Sequence, residues 1–600
     1  MKFNKSILFL STVLLLNCLF AEPYWIHFND KGFEKASPRE KVELDRAYKR
    51  LSSRCIQRRI KSTGDEFPVD YGDIDLNPDY IETLKSMKIK IRVKSRWLNA
   101  VSAEIDETQF ESISELPFIE SIVPVGRYFR VEPTAFAESD MEYHPFYGNS
   151  FTQNKMHNTP VLHRAGIDGS GVLICITDTG FMIEHETFSA TDIIDSYDFV
   201  GDDSIVGYEP GDAYATESHG TKTLSTMAGY SPAELIGTAY NASYLLARTE
   251  DYDMEDPIEE DFWIAAAEWA DSAGADIIST SLGYHDWYTA DSMDGDTAPI
   301  TITADRMSHL GICPVICSGN YGSSPSSLTA PGDGDSVITI GACATDSSIV
   351  GFSSRGPTAD GRIKPDLCAL GMRTACATNS SSASYGTASG TSLSTPLVAG
   401  LAALILQARP DLTSWQVRQA LVNTASNRLT PNNDIGWGIP DISAALACPV
   451  DSACAIAIIR GWNLISIPID SDFDVDDIFP HRIGSVWHWN PESTAYMETD
   501  LIEPGKGYFV LYDRDTVVYA EGPPLESLTI PVSSGWNCIG SPGKTNSHSN
   551  IMESSTVGIH NKFYIYDQID KTYKNTNVTN PGAGIFILVI GPGGDIEITD

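Results

Sequence analysis

Cysteine and positive charge are what this 600-residue chain has least of. Eleven cysteines are too few to build a disulfide scaffold at this length. No pair has the Cys-x-x-Cys spacing of a zinc ribbon or a dithiol redox site, so no metal is expected from them. Cys175, Cys313 and Cys317 fall in apolar runs and read as small buried hydrophobes. Only Cys448 and Cys454, six residues apart at a domain junction, suggest a bridge. Lysine and arginine number 41 against 80 acidic residues, a formal charge of -39. Such a surface repels nucleic acid and anionic lipid, and no nucleic-acid partner is expected. Long apolar runs are missing as well. Ile7 to Leu16, behind Lys2 and Lys5 and ahead of the small Ala21, reads as an export signal over 1–21 and is too short to span a bilayer. A lipidated Cys18 ranks second to this, because Asn17 suits it poorly. No membrane span is read further on, and a secreted or surface-associated protein is expected.

What is present is a globular composition, 42% hydrophobic and 20% charged, over a length that calls for several domains. Residues 22–130 alternate strand-like and helical runs and carry the basic cluster Arg54, Arg58, Arg59 and Lys61, a small α+β unit. The polar segment 131–160 reads as a linker. Over 161–447 short apolar strands alternate with amphipathic runs such as Pro257 to Ser272, Pro299 to Leu310 and Ser394 to Ala408. That alternation predicts an α/β domain, a largely parallel sheet with helices on both faces. Residues 455–600 change to short β-type runs, and they repeat. Gly461-Trp462-Asn463 returns as Gly535-Trp536-Asn537, and Pro504-Gly505-Lys506-Gly507 as Pro581-Gly582-Ala583-Gly584. A duplicated all-β domain is expected. Its Trp462, Trp487, Trp489, Trp536, Tyr508, Tyr564 and Tyr566 fit buried packing as well as surface attachment. The acidic run Asp251, Asp253, Glu255, Asp256, Glu259, Glu260 and Asp261 has the hard ligands calcium prefers but not the spacing of a defined calcium loop. Structural calcium stays open, and no cofactor is required.

Four short motifs supply the parts of an acyl-transfer site. Asp178 ends the apolar strand leading to Ile176-Thr177-Asp178-Thr179-Gly180; His219 lies in Ser218-His219-Gly220-Thr221. Asn320 closes Ser318-Gly319-Asn320, and Ser392 follows Gly390-Thr391 at the start of an apolar helix. A serine hydroxyl needs a base to take its proton, a role for His219. A buried carboxylate, Asp178, would hold the imidazole's tautomer. Asn320 and the Ser392 backbone N–H would donate to the developing oxyanion. Gly180 and Gly220 allow close backbone packing beside the triad, and Gly390 leaves room for substrate. Pro396, in the first turns of its helix, costs less than it would deeper in. Any one motif alone is a cap or a turn; all four in this order are not.

Together these motifs resemble the subtilisin-like serine proteases. The spacings of 41, 101 and 72 residues between Asp178, His219, Asn320 and Ser392 fit. So do Gly390-Thr391-Ser392-Leu393-Ser394-Thr395-Pro396, Phe352-Ser353-Ser354-Arg355-Gly356-Pro357 and Lys364-Pro365-Asp366. The Asp, His, Ser order is that of the family. The resemblance covers about Val161 to Leu446 and implies a serine endopeptidase acting on protein or peptide substrates. It also implies that Ser281, Leu282, Gly283 and Ser318 line the substrate cleft, with an apolar or permissive primary pocket. Leu370 replaces the family's usual proline, and Lys222 follows His-Gly-Thr where histidine or alanine is common. Tyr24-Trp25-Ile26 and Ser95-Arg96-Trp97-Leu98-Asn99-Ala100-Val101 look like the propeptide of secreted bacterial members. The unit 22–130 is then an intramolecular inhibitor and folding aid, cut off between Arg127 and His157. Two other readings compete. An esterase lacks support, because no Gly-x-Ser-x-Gly elbow surrounds Ser392. A surface binding or adhesion protein with a vestigial protease domain sits poorly with four filled positions.

Overall fold

The computed structural model describes residues 22–125, 141–213, 215–251, 258–285, 288–547, 551–553, 558–560 and 563–599. The expected signal 1–21 and the stretch 126–140, which holds the first part of the expected processing region, lie outside the described residues.

The N-terminal unit comprises β1 (Glu22–Phe28), α1 (Pro38–Arg50), α2 (Ser53–Thr63), α3 (Pro78–Ser86), β2 (Lys90–Ser95), β3 (Ala100–Ile105), α4 (Glu107–Ser114) and β4 (Ile119–Pro124). Its four strands form an antiparallel sheet in the order β2-β3-β1-β4. Side chains alternate across a strand, and β1 uses both faces. Ile26 and Phe28 join the unit's own core with Ile81, Leu84 and Val101, while Trp25 packs with Val93 and Ala100 against the next domain.

That domain adds α5 (Phe151–Lys155), α6 (Thr159–Arg164), β5 (Leu173–Asp178), β6 (Asp192–Asp198) and α7 (Ser218–Ala228). After the short pair β7 (Tyr230–Ser231) and β8 (Leu235–Ile236) come β9 (Ser243–Arg248), α8 (Ile258–Ala273), β10 (Ile277–Thr280), α9 (Pro299–His309) and β11 (Cys313–Cys317). It closes with β12 (Ile338–Cys343), β13 (Leu367–Leu370), α10 (Thr391–Ala408), α11 (Ser414–Asn423) and α12 (Ile442–Ala447). Seven strands, all parallel, follow the order β13-β12-β11-β10-β5-β9-β6. One face is covered by α10 and its neighbours, the other by α8 and α9. Strand β5 is buried at all six residues, as expected of a parallel strand covered on both sides. Strand order reverses there, because β9 pairs on one edge and β10 on the other. Open α/β sheets bind ligands beyond the carboxyl ends of strands at such a point. Helix α10 is apolar and long enough to cross a membrane, but all but one of its residues are buried in this core.

The linker expected over 131–160 is corrected for its second half. Residues 151–155 and 159–164 are helical, and Gln153, Asn154 and His157 are fully buried. Their polarity misled because it is spent inside. Gln153 takes both backbone groups of Ala375, at 2.9 and 3.2 Å, and His157 Nδ1 bonds the Pro440 carbonyl at 2.9 Å. The expected Cys448–Cys454 bridge is absent, and both thiols are buried. Cys175, Cys313 and Cys317 are buried as expected. Among the expected calcium ligands, 252–257 lie outside the described residues. Glu259 accepts from the Asp251 N–H at 2.9 Å, Glu260 from Tyr288 at 2.7 Å, and Asp261 pairs with Arg92 at 2.9 Å.

The Lys-Pro-Asp motif ends in a buried ion cluster. Asp366 receives Lys364 Nζ at 2.8 Å, the Thr339 N–H at 2.8 Å, and Arg418. Burial alone would raise the Asp366 carboxyl, but Arg418 and Lys364 outweigh it and hold the pKa below the ordinary value. An unfolded aspartate titrates near 3.9. A group depressed in the folded state contributes stability above that pH and loses it as pH falls through the folded value. Thermal melts of the chain should therefore fall faster below about pH 4 than those of the same chain carrying Asp366→Asn. Equal acid slopes would rule this out.

The last domain holds two four-stranded sheets of like strand order. Gly461–Ile465, Tyr508–Tyr512, Val486–Asn490 and Ala495–Thr499 form one four-stranded sheet in that spatial order. Gly535–Ile539, Ile585–Val589, Phe563–Asp567 and Thr572–Thr576 repeat it. The asparagine of each Gly-Trp-Asn closes the same loop. Asn463 bonds both backbone groups of Ile459, and Asn537 those of Ser533, at 2.8 and 3.0 Å each. The aromatics largely join the two sheets. Trp489 Nε1 donates to the Trp536 carbonyl at 2.7 Å, and Phe509 packs on Tyr566 and Phe586. Trp462 and Trp536 remain exposed.

Candidate active site

Three adjacent strands, β11, β10 and β5, deliver Asn320, Ser281 and Asp178 to one edge of the sheet. Two helices that pack on each other begin there, α7 with His219 as its second residue and α10 with Ser392 as its second. The close approach needs glycine at position 220. A Cβ there would meet the Gly180 carbonyl oxygen at 2.1 Å.

His219 Nδ1 lies 2.7 Å from Asp178 Oδ1. Asp178 is fully buried and accepts three more bonds, from the Thr179 N–H at 2.8 Å, from Thr179 Oγ1 at 3.4 Å and from Thr223 Oγ1 to its Oδ2 at 2.8 Å. Burial pushes the Asp178 carboxyl up, but the adjacent His219 and these donors win and hold it below the usual carboxylate range. The carboxylate stays charged, and both of its oxygens are engaged.

Ser392 is buried apart from a 6% exposed remnant, and its Oγ donates to the Ser281 carbonyl at 3.1 Å. In return Ser281 Oγ donates to the Ser392 carbonyl at 2.9 Å. Pro396 explains that brace and corrects the expectation for it. As the sixth residue of α10, it lies beyond the four N–H groups a helix leaves free at its start. Lacking an N–H, it cannot bond the carbonyl four residues back, which is that of Ser392. Ser281 supplies the missing donor. Among the described residues no hydrogen bond joins Ser392 Oγ to His219, and rotation about the serine Cα–Cβ bond redirects the hydroxyl. Catalytic hydrogen bonds are commonly loose before substrate arrives.

Asn320 Oδ1 accepts from the Thr391 N–H at 3.0 Å and from Thr391 Oγ1 at 3.1 Å. With its oxygen fixed by Thr391, the amide Nδ2 is the group left to donate. The expected cleft residues are partly redistributed. Leu282 and Gly283 follow Ser281 along one wall. Ser318 is fully buried and donates to the Ser354 carbonyl at 3.3 Å, so its side chain faces away from the cleft. Cys317, the one thiol next to the site in sequence, has its pKa pushed up to about 12 by burial and is no competing nucleophile. Sequence reasoning missed Thr223 and Thr391. Thr223 had a visible signal, since it stands one helical turn after His219 and shares its face. Thr391 could be read only as part of the serine motif.

A second acidic group brings oxygens of Asp198, Asp203 and Glu209 within 4.8 Å of one another. Asp198 already accepts from Arg248 at 3.0 Å and from the Val200 and Gly201 N–H groups.

A doubly wound parallel sheet with a carboxylate-bound histidine and a helix-borne serine at its switch point is the architecture of a serine hydrolase. Residues 169–438 match the model described as the Subtilase family, and residues 23–138 match the Peptidase S8 propeptide domain of Bacteroidota. Subtilisin amylosacchariticus from Bacillus subtilis subsp. amylosacchariticus is 28% identical over 359 residues, 59% of this chain and 83% of its own length. Subtilisin DY from Bacillus licheniformis is 31% identical over 285 residues, 47% of this chain and 92% of its own. A solved protease from Pseudoalteromonas arctica is 24% identical and covers 50% of this chain and 98% of its own, with a TM-score of 0.42. The chain belongs to the subtilase family of serine endopeptidases and carries a propeptide domain of that family.

Proposed function

We propose that the chain is an exported endopeptidase that cleaves internal peptide bonds of protein substrates through an acyl-enzyme on Ser392. The observation that carries this is the 2.7 Å bond from buried Asp178 to His219 Nδ1, which reserves the opposite ring nitrogen for proton transfer. Ser392 Oγ attacks the carbonyl carbon while His219 Nε2 takes its proton. The carbonyl oxygen becomes an oxyanion and receives hydrogen bonds from Asn320 Nδ2 and the Ser392 N–H. The C–N bond then breaks, and His219 returns the proton to the departing amine. Water repeats the sequence on the ester and frees the acid. Side chains and backbone suffice for these steps, and no cofactor is called for. Export rests on the leader pattern over 1–21, and residues 22–125 act as the enzyme's own inhibitor until they are cut away.

Asn320→Leu separates transition-state from ground-state binding. Loss of an amide donor to the oxyanion lowers kcat by roughly 10² to 10³, the scale found for the corresponding donor of a subtilisin, with KM nearly unchanged. Kinetics on an unfolded protein substrate would refute the role if kcat stayed within a few-fold of wild type.

A further inference from the structure

An aspartate carboxylate turns about its Cβ–Cγ bond over a broad, two-fold well, so a bond to one oxygen does not fix its plane. Both oxygens of Asp178 must be held if Oδ1 is to keep facing the His219 ring. Oδ1 receives His219 Nδ1 at 2.7 Å, the Thr179 N–H at 2.8 Å and Thr179 Oγ1 at 3.4 Å. The Thr179 hydroxyl has one proton to give and lies closer to the Thr216 carbonyl, at 2.7 Å. Oδ2 has one donor among the described residues, Thr223 Oγ1 at 2.8 Å.

Thr223 stands one helical turn after His219 on α7, so the two side chains share a face. The helix thus grips one carboxylate at both oxygens, with its imidazole on Oδ1 and its hydroxyl on Oδ2. The threonine is itself held. A β-branched side chain has few χ1 wells in a helix, and a threonine hydroxyl there can rest on the carbonyl of the preceding turn. Thr223 Oγ1 lies 3.0 Å from the Gly220 carbonyl, which keeps it in the rotamer that reaches Asp178. Both Thr223 and Asp178 are fully buried. A buried acceptor that loses its donor bears the whole cost of its desolvation.

We propose that Thr223 is a positioning residue of the reaction: its hydroxyl fixes the plane of the Asp178 carboxylate, and through it the His219 ring that takes the proton of Ser392. The inference rests on the triad proposed above. Without the donor, the charge on Oδ2 is unshared. The carboxylate then holds a proton more readily and attracts the His219 imidazolium more strongly, so both groups stay protonated to higher pH. The neutral imidazole that serves as base appears later in the titration. Other ionisable groups around the pair are engaged elsewhere. Arg248, opposite Asp178 on β9, pairs with Asp198 and Asp212, each at 3.0 Å. Glu217, just ahead of α7, accepts the Tyr208 N–H at 2.7 Å. Lys222 is half-buried near the Cys376 thiol, and burial keeps the Cys317 thiol neutral.

The test compares wild type, Thr223→Val and Thr223→Ser as self-processed enzymes. It measures kcat, KM and the pH dependence of kcat/KM on a short peptide, over the range where circular dichroism shows each chain folded. Valine matches threonine in shape and lacks the hydroxyl; serine keeps it. Thr223→Val should lower kcat by roughly tenfold, the scale of a hydrogen bond to a charged group, with KM nearly unchanged. Its acid limb, which reports the base of the free enzyme, should move to higher pH by about half a unit or more. Thr223→Ser should restore most of both. If folded Thr223→Val keeps 22–125 attached while Thr223→Ser releases it, the same loss is read at the first cut. A residue that only packs would change the melting temperature and leave the limb in place. A Thr223→Val limb that overlays wild type, or a kcat loss that serine does not restore, overturns the proposal and leaves the endopeptidase standing. A wild type that cuts neither peptide nor protein and ignores a serine-directed covalent inhibitor overturns the triad and this role together.

Discussion

Ser392→Ala is expected to lower kcat/KM on an unfolded protein by about 10⁶, the loss seen when a subtilisin is stripped of its nucleophile. That is about 8 kcal/mol of transition-state stabilisation. The size follows from how the parts depend on one another. Without Oγ there is no acyl-enzyme, so the directed carboxylate of Asp178 and the imidazole it holds have no proton to move. What survives is orientation and the two oxyanion donors, which still favour attack by water. For the same reason, adding His219→Ala to Ser392→Ala should cost almost nothing more, whereas two independent contributions would multiply. Asp178→Asn should fall short of the serine loss, at about 10⁴, because the ring remains but in the wrong tautomer. The variant should also accumulate as the full chain with 22–125 attached, and it should fail to react with a serine-directed covalent inhibitor. Progress curves for the three single variants and the double variant check the scheme. A Ser392→Ala chain that retains more than about one part in a thousand of wild-type activity would remove Ser392 from the role, since loss of a true nucleophile exceeds that margin.

The site was more legible than its surroundings, and the reason is local. Asp178, His219, Asn320 and Ser392 each sit at the end of a strand or the start of a helix, where a few flanking residues announce both the element and the group it presents. The strands were legible for a related reason, since buried parallel strands such as β5 and β9 read as unbroken apolar runs. What stayed hidden depended on partners distant in sequence. Nothing around Ser281 says that its hydroxyl replaces the N–H missing from Pro396, because that fact needs α10 and β10 together. Ser318 looked like a cleft residue by position, and only the Ser354 carbonyl turns it inward. Gln153 and His157 are polar in sequence yet buried, because Ala375 and Pro440 supply their hydrogen bonds.

The basic cluster noticed in the sequence leads to the second large effect. Arg58 and Arg59 on α2 both reach Asp271 on α8, and all three side chains are buried between the propeptide and the catalytic domain. Arg58 adds the carbonyls of Ala275 and Leu310, at 2.5 and 3.2 Å, and Arg59 bonds Asp73 within its own unit at 2.9 Å. Burial opposes the charge on Arg59, but Asp271 and Asp73 outweigh it and hold the guanidinium more firmly protonated than usual. Around this centre Arg92 meets Asp261 at 2.9 Å and Arg96 meets Glu268 at 2.8 Å. Removing one partner of a buried ion cluster leaves the others uncompensated, at a cost of about 3–5 kcal/mol. Asp271→Ala should therefore raise the undocked fraction of the propeptide by roughly 10² to nearly 10⁴. In a Ser392→Ala chain the propeptide stays attached, and docking is then read without processing, as hydrogen exchange along α8 and β2. Lys61→Ala is the contrast. Its Nζ bonds the Pro410 carbonyl at 3.1 Å in an exposed position, and such rim contacts contribute about 0–1 kcal/mol. In the mature enzyme Asp271 is no longer covered by the propeptide, so hydrolysis of a short peptide should be unaffected by its loss. Exchange that is equally slow in the Asp271→Ala and Lys61→Ala chains would mean that apolar packing around Trp25 and Trp263, not charge, holds the propeptide in place.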